Sequence, residues 1–281
     1  MKPILKWAGG KTKLLPDLEL AIGSGGTLYE PFGGSMAVGS HFLSKGLFNK
    51  VIAYDFNNDL VNLYMVVQGH LELFIEEVQK LFVDENLVED CYYEIRAEFN
   101  NNRKTFTKPN VRMAALFLYL NKFGFNGICR YSKNGFNVPF GKKTSVPSPD
   151  IENIREFSKI KFEIYNEDFR IAMCDVLLNG VEGDVLYLDP PYVSLTQVAG
   201  FVNYTEGGFG NREQEHLAVF AELISKRGIK VVISNHDTEY SRLLYKNATE
   251  IRELEVQRSI SPKGDERKKV KELIAIYKGQ Q

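Results

Sequence analysis

Gly183-Asp184-Val185-Leu186-Tyr187-Leu188-Asp189-Pro190-Pro191-Tyr192 is the stretch whose reading decides the fold. Its apolar run, opened by glycine and closed by proline, has the length and continuity of a strand buried on both faces of a parallel sheet. Asp189-Pro190-Pro191-Tyr192 then falls at the carboxyl end of that strand, the edge where open α/β sheets bind ligands. Pro190 restricts Asp189 to extended backbone, and neither proline carries an N–H. The corner therefore presents a carboxylate and carbonyls as acceptors, with a tyrosine ring as a stacking face. An exocyclic amine on a flat ring, with two N–H donors, is its chemical complement. The four residues alone suit a strand-ending turn equally well, since proline and aspartate are common in turns.

Outward from this point the α/β pattern continues in both directions. Downstream, Leu217, Phe220, Ala221 and Ile224 recur at helical spacing, and Val231-Val232-Ile233-Ser234-Asn235 reads as another buried strand. Two strand-like segments, Ile251 to Ile260 and Val270 to Tyr277, flank a loop from Ser261 to Lys269 that carries Lys263, Arg267, Lys268 and Lys269. That loop is either a solvated surface or an anion contact. Upstream, Lys161 to Tyr165 reads as a strand and Asp168 as the cap of a helix beginning near Phe169.

Nearer the amino terminus, Thr27-Leu28-Tyr29-Glu30-Pro31-Phe32-Gly33-Gly34 reads as a strand entering a glycine turn, and a helix follows. Such a turn lets backbone approach a ligand closely, next to the free N–H groups of the helix. Val51-Ile52-Ala53-Tyr54-Asp55 is a second strand ending in an acid, about twenty residues on, where a carboxylate accepts ribose hydroxyls in dinucleotide folds. The combination suggests a bound nucleoside, and the absence of G-x-G-x-x-G spacing disfavours nicotinamide. Lys6-Trp7-Ala8-Gly9-Gly10-Lys11-Thr12 has the tail of a phosphate-binding loop, but Leu5 stands where that motif needs glycine, so a nucleotide triphosphatase is rejected. A glycine loop capping the next helix is the simpler alternative there.

Between these halves the pattern turns helical. Leu60, Leu63 and Val67, then Leu71, Phe74, Ile75, Val78 and Phe82, keep three and four spacing, and Cys91 to Phe99 and Val111 to Lys122 add further helices. From Phe123 to Lys143 aromatics interleave with bases, and Asn134-Gly135 is a two-residue hairpin turn signal. A two-stranded ribbon of this kind can enter a DNA major groove. Alternatively it is a surface hairpin whose rings pack on its own helices. The expected organisation is a catalytic α/β domain from 1–56 and 145–281, with a helical and β-hairpin recognition domain from 57–144.

With 281 residues, 44% hydrophobic and 25% charged, the chain is an ordinary globular protein with enough length for a large core. Its net charge of -1 names no polyanionic partner, yet Asn101 to Pro149 holds nine bases and no acid: Arg103, Lys104, Lys108, Arg112, Lys122, Arg130, Lys133, Lys142 and Lys143. That asymmetry points to one anion-binding face. Cys91, Cys129 and Cys174 are isolated and odd in number, as expected of reduced thiols, and the four histidines lack ligand spacing, so no metal is expected. Met1 to Trp7 has no apolar signal core, and the longest apolar run, Met113 to Leu120, cannot span a bilayer. A cytoplasmic location, no membrane partner and a monomer in solution are the expectations.

Five blocks carry a family resemblance: Lys6-Trp7-Ala8-Gly9-Gly10-Lys11, Glu30-Pro31-Phe32-Gly33-Gly34, Phe125-Asn126-Gly127, Phe136-Asn137-Val138-Pro139-Phe140-Gly141 and Asp189-Pro190-Pro191-Tyr192. In this order, over nearly the whole chain, they resemble the Dam-type (D12 class, α group) DNA adenine-N6 methyltransferases. The resemblance implies a class I methyltransferase fold, a Rossmann-like, mostly parallel sheet with a C-terminal antiparallel hairpin. It implies S-adenosyl-L-methionine as methyl donor, double-stranded DNA as substrate and GATC as site. By position it implies cofactor contacts at Trp7, Lys11, Phe32, Gly34, Asp55, Asp168, Phe169 and Asp189. Base reading falls to Lys6, Ile128, Arg130 and Pro139, intercalation and flipping to Phe125 and Asn126, and further DNA contacts to Asn137, Lys142 and Lys143. Catalysis falls to Asp189, Pro190 and Tyr192. The chain departs from the pattern at Phe125 and Lys143, where tyrosine is usual, and the pattern's hairpin is one residue longer at the tip.

Two other classes fit parts of the pattern. A methyltransferase for cytosine N4, RNA or a glutamine amide could use the same acceptor corner, and a DNA-binding module without catalysis could use the hairpin.

Overall fold

The computed structural model describes residues 2–195, 209–257 and 269–279. Helix α1 (Leu15–Ile22) leads into strand β1 (Gly25–Glu30), followed by α2 (Ala37–Ser44) and β2 (Phe48–Tyr54). A helical series follows, α3 (Asn58–Gly69), α4 (Leu71–Leu81), α5 (Glu89–Asn102) and α6 (Val111–Phe123). Asn57 starts α3 by accepting the N–H groups of Asp59 and Leu60, and Asn110 starts α6 by accepting that of Met113. Next come the short strands β3 (Tyr131–Ser132) and β4 (Gly135–Phe136), then α7 (Ile151–Ser158), β5 (Glu163–Tyr165) and α8 (Phe169–Asn179). The chain finishes through β6 (Val185–Leu188), α9 (Asn211–Ser225), β7 (Lys230–His236), α10 (Glu239–Leu244), β8 (Glu250–Gln257) and β9 (Lys269–Tyr277). Residues 258–260 and the expected charged loop, with Lys263, Arg267 and Lys268, lie outside the described residues.

Seven strands form one sheet in the order β5-β2-β1-β6-β7-β9-β8. β1 runs parallel to β2 and β6, and β6 parallel to β7, whereas β9 is antiparallel to both β7 and β8. The expected mostly parallel sheet with a C-terminal antiparallel hairpin is thus present. All four residues of β6 are buried, as its unbroken apolar run requires. The strand order reverses between β1 and β6, so the topological switch point lies where Glu30 and Leu188 end their strands.

The chain divides into two compact units. One comprises Met1–Leu15, Gly33–Ser44 and Asp55–Asn166; the other comprises Pro16–Phe32, Lys45–Tyr54 and Glu167–Gln281. The second unit is built on an apolar core in which Tyr29, Leu186, Leu188, Ile233, Leu217 and Met173 are buried together. Burying each such side chain stabilises the fold by about 1.5–3 kcal/mol. The first unit has an aromatic core: Tyr119 stacks on Phe123 with ring centroids 4.0 Å apart, and Phe99 meets Phe117 and Phe136.

The hairpin corrects the sequence reading. Tyr131 pairs with Phe136 and Ser132 with Gly135, so the two-residue turn is Lys133-Asn134 and Gly135 belongs to a strand. Gly135 has φ +102°, and the Asn100 side chain fills the space a Cβ would need, 2.4 Å away. Asn100 accepts the Phe136 N–H at 2.8 Å and donates to its carbonyl at 3.0 Å. Tertiary contact to α5 has set the turn one residue earlier than local turn chemistry would. It also leaves Phe136 buried, while Arg130 and Ser132 to Asn134 face solvent.

Candidate active site

Within the second unit, Asp189 directly follows β6 at the switch point. Pro190 is buried, Asp189 and Tyr192 are half-buried, and Pro191 is exposed. The Tyr192 hydroxyl donates to Glu272 on β9 at 3.1 Å, and its ring meets His236 edge-on at 4.8 Å. Burial, with Asp189 nearby, drives the Tyr192 phenol well above its ordinary range, so the ring is neutral at all working pH values. The strand beneath is anchored at its start by Asp184, whose carboxylate accepts the N–H groups of Thr27 at 2.8 Å and Val181 at 3.1 Å.

The same unit gathers Phe32, just past β1, with Phe169 and Phe209. Phe32 stacks on Phe169 at 5.5 Å, and Phe209 meets both. Asp168 caps α8 through the Arg170 N–H and holds the Arg170 guanidinium at 2.7 and 2.9 Å, which lowers its carboxyl below the usual range. Phe169 is buried, whereas the half-buried Phe32 offers an aromatic surface that fits the flat ring of a nucleoside.

Within the first unit, Asp55 sits just past the end of β2. Its carboxylate accepts the Gly34 N–H at 2.9 Å and the Asn57 N–H at 2.8 Å. Burial raises its pKa, and the two N–H groups oppose that rise. Two oxygens have room for more than two donors, so hydroxyls of a ribose can add to these. Gly34 has φ +50°, and Tyr64 fixes its carbonyl with a hydrogen bond of 3.0 Å. Lys11 is buried and donates to the Gly9 carbonyl at 2.7 Å, while the half-buried Trp7 accepts from the Gly10 N–H at 3.3 Å. The aspartate, the glycine turn and the buried cation fit a nucleoside that carries an amino-acid tail.

The same unit joins the residues assigned to DNA. Phe125 and Asn126 form a turn after α6, both exposed, with Asn126 at φ +54° and Gly127 at φ +63°. At Gly127 a Cβ would meet the Lys6 side chain at 3.0 Å, and the positive φ there favours glycine. Asn121, fully buried, binds both segments: Oδ1 accepts the Lys6 N–H at 3.1 Å, and Nδ2 donates to the carbonyls of Lys6 at 2.8 Å and Gly127 at 2.9 Å. The Phe125 N–H reaches the Pro139 carbonyl at 2.9 Å. Ile128 is half-buried, Lys6, Arg130 and Pro139 are exposed, and Asn137 fixes Arg130 by accepting from Nε at 2.9 Å and Nη2 at 3.1 Å. That engages one edge of the guanidinium. Its other edge, Nη1 and Nη2, has the bidentate spacing that guanine O6 and N7 accept.

The basic stretch is less open than its composition implies. Arg103 is bound to buried Asp59 at 2.6 Å and stacks over Tyr131 at 4.2 Å, while Arg112 grips Glu98 with two bonds of 2.8 Å and reaches Glu77 at 3.3 Å. Acids on α3, α4 and α5, outside the stretch, neutralise them. Lys122 is half-buried, and burial lowers its pKa. Lys104, Arg130, Lys133 and Lys142 are exposed.

Sequence reasoning missed Asn121, Gln214, Asn235 and His236, all of which bind the backbone of segments that carry candidate site residues. Asn235 was findable, because it lies one residue before the end of β7, at the same sheet edge as Asp189. Among the described residues no helix is long and apolar enough to cross a membrane, and no group of three His, Cys, Asp or Glu residues could hold a metal.

Comparison with known proteins completes the picture. The family model for D12 class N6 adenine-specific DNA methyltransferases matches residues 7–260. The chain is 40% identical over 280 residues to the DNA adenine methylase of Escherichia coli strain K12, covering 99% of this chain and 95% of that one. It is 39% identical over 279 residues to that of Salmonella typhi, covering 98% and 95%, and 38% identical over 283 residues to that of Vibrio cholerae serotype O1, covering 98% and 96%. A match of this extent, on a chain that carries the acceptor corner at the switch point, shows that the protein belongs to the D12 class N6 adenine-specific DNA methyltransferase family.

Proposed function

We propose that this protein transfers a methyl group from S-adenosyl-L-methionine to N6 of an adenine flipped out of double-stranded DNA, within GATC. The observation that carries the reading is the acceptor corner Asp189-Pro190-Pro191-Tyr192 at the carboxyl end of β6. Adenine N6 is a weak nucleophile because its lone pair is delocalised into the ring, and inside a duplex it is out of reach. Flipping costs a few kcal/mol and exposes the amine. The Asp189 carboxylate and the Pro190 carbonyl accept hydrogen bonds from the two N6 hydrogens, which localises the lone pair as nitrogen becomes tetrahedral; one of these protons then leaves N6 by way of the Asp189 carboxylate to water, and Tyr192 stacks on the base. When bound, the cofactor supplies a methyl already activated by its sulfonium. Asp55 holds the ribose hydroxyls, and Phe32 and Phe169 supply aromatic contact. Alignment and stabilisation of the positive charge developing on N6 account for most of the acceleration.

For site choice, Lys6, Ile128, Arg130 and Pro139 read base edges, Phe125 enters the stack, and Asn126 takes the place of the departed adenine. The exposed Phe125-Asn126 turn and the fixed Arg130 support this assignment. Asn137, Lys142 and Lys143 add DNA contacts. The test is transfer of labelled methyl to unmethylated plasmid DNA, with digestion by GATC nucleases that differ in methylation sensitivity. Label on adenine with protection confined to GATC is expected; label on cytosine, RNA or protein alone would refute the reading.

A further inference from the structure

Two elements distant in sequence grip the backbone on both sides of Tyr192. Gln214 on α9 donates from Nε2 to the Pro191 carbonyl at 2.7 Å, and Asn235 at the end of β7 accepts the Val193 N–H on Oδ1 at 2.9 Å. A carbonyl can only accept and an N–H only donate, so these partners fix the orientation of both amides. Asn235 Nδ2 is thereby turned toward Gln214 Oε1, at 3.2 Å, and toward the Tyr245 hydroxyl, at 2.9 Å. Gln214, Asn235 and Tyr245 are 3%, 0% and 0% exposed. His236 Nδ1 lies 2.6 Å from the Val193 carbonyl, which places a proton on that nitrogen.

None of these amides is needed as an acid, a base or a nucleophile for the transfer. Their cost of burial is offset only because each polar atom meets a partner, and a fully satisfied buried network is rigid. Among the described residues, this network binds the chain on both sides of Tyr192, at Pro191 and Val193. Transfer between two bound groups is sensitive to displacements of about 1 Å.

We propose that Gln214 is a positioning residue for methyl transfer, acting with Asn235 and Tyr245. The N–H it donates to the Pro191 carbonyl sets the height of the Tyr192 ring, and so the height of the target amine against Asp189. This rests on reading Asp189-Pro190-Pro191-Tyr192 as the target-amine site.

The test is single-turnover transfer by the full-length protein to a GATC duplex, with labelled S-adenosyl-L-methionine, across a pH series. Gln214→Met keeps the length of the side chain and removes its donor. The transfer rate constant is expected to fall about tenfold to a hundredfold, with dissociation constants for DNA and cofactor within about twofold of wild type and a melting transition still cooperative. In Gln214→Glu, the protonated acid can donate to the Pro191 carbonyl while its other oxygen accepts from Asn235, and the ionised acid cannot. The rate of this variant relative to wild type should therefore fall as pH rises, while the Gln214→Met ratio stays flat. A flat ratio for Gln214→Glu, or a folded Gln214→Met protein at wild-type rate, overturns the positioning role. If Gln214→Met does not fold, the pH profile of Gln214→Glu decides alone. A wild-type protein that labels no adenine at all overturns instead the functional reading beneath it.

Discussion

Asn235 and Asn121 are both fully buried, and each binds the backbone of a segment that carries side chains of the proposed sites. Asn235 takes the Val193 N–H beside the acceptor corner; Asn121 takes the Lys6 backbone and the Gly127 carbonyl. What differs is the exposure of the side chains carried. Around Asn235, Pro190 and Val193 are buried and Asp189 and Tyr192 half-buried, whereas beside Asn121 the Phe125, Asn126, Arg130 and Lys6 side chains are exposed. Chemistry at a weak nucleophile gains from acceptors shielded from water, where each electrostatic contact is stronger. Reading a duplex needs side chains that reach outward from backbone that does not move. The same anchor serves both, and the depth of the segment decides which task it can do.

The largest expected effect lies on the buried side of this comparison. Asp189→Ala removes the carboxylate proposed to accept from N6 and, by the family resemblance, a cofactor contact. Single-turnover transfer is expected to fall by about 10²–10³-fold or more, with weaker cofactor binding in calorimetry. Near-normal turnover would break the assignment of the corner as the catalytic one.

Next in size is Asp55. Asp55→Ala should weaken cofactor binding by about 1.5–3 kcal/mol, the scale for hydrogen bonds to a charged group, and leave DNA affinity without cofactor unchanged. Burial raises the Asp55 pKa, and hydroxyl donors favour its ionised form. As pH falls, Asp55 takes up its proton earlier than an ordinary aspartate would, so cofactor affinity should decline on the acid side. In Asp55→Ala this decline should vanish; calorimetry across a pH series that finds the same slope in both proteins would remove Asp55 from the binding site.

Arg130 tests the exposed side. If it reads guanine, Arg130→Ala loses about 1–3 kcal/mol of discrimination, and rate falls on GATC while relative activity rises on sites altered at one guanine-cytosine pair. Equal losses on GATC and all near-cognate sites would show that Arg130 positions backbone and reads nothing. Asn137→Ala should give a smaller change of the same kind, because Asn137 orients Arg130 without replacing it.

The buried half of this design was legible because strand signals and site signals coincide. The apolar run before Asp189 and the strand before Asp55 place both acids at strand ends without tertiary information, and the structure puts both there. Capping by Asp168 is equally local. The bracing amides were not legible, since nothing in the residues near Gln214 indicates that its Nε2 meets Pro191, 23 positions away. The hairpin misled for the same reason: Asn134-Gly135 is a strong local turn signal, yet Asn100 on α5 binds both backbone groups of Phe136 and shifts the turn. Wherever a segment's backbone is satisfied by side chains from afar, its local signals under-determine it.

The smallest effect concerns the bases that composition alone would treat as equivalent. Arg112 and Lys142 both belong to the acid-free stretch from Asn101 to Pro149. Arg112 is committed to Glu98 and Glu77 within its own unit, whereas Lys142 is exposed and follows the Pro139–Gly141 segment that pairs with the recognition turn. A lysine that neutralises one phosphate releases a condensed counterion, so Lys142→Ala should reduce the slope of log affinity against log salt by about 0.9 and weaken all sequences alike. Arg112→Ala should leave that slope unchanged and instead lower the melting temperature, because it takes both bonds from Glu98 and leaves Glu77 with Lys80 alone. Salt titrations of both variants on GATC and on unrelated duplexes separate the cases. Equal slopes for Lys142→Ala and wild type would place Lys142 away from the phosphates. A reduced slope for Arg112→Ala would mean that its ion pairs open to DNA, and that the division between structural and DNA-facing bases does not survive binding.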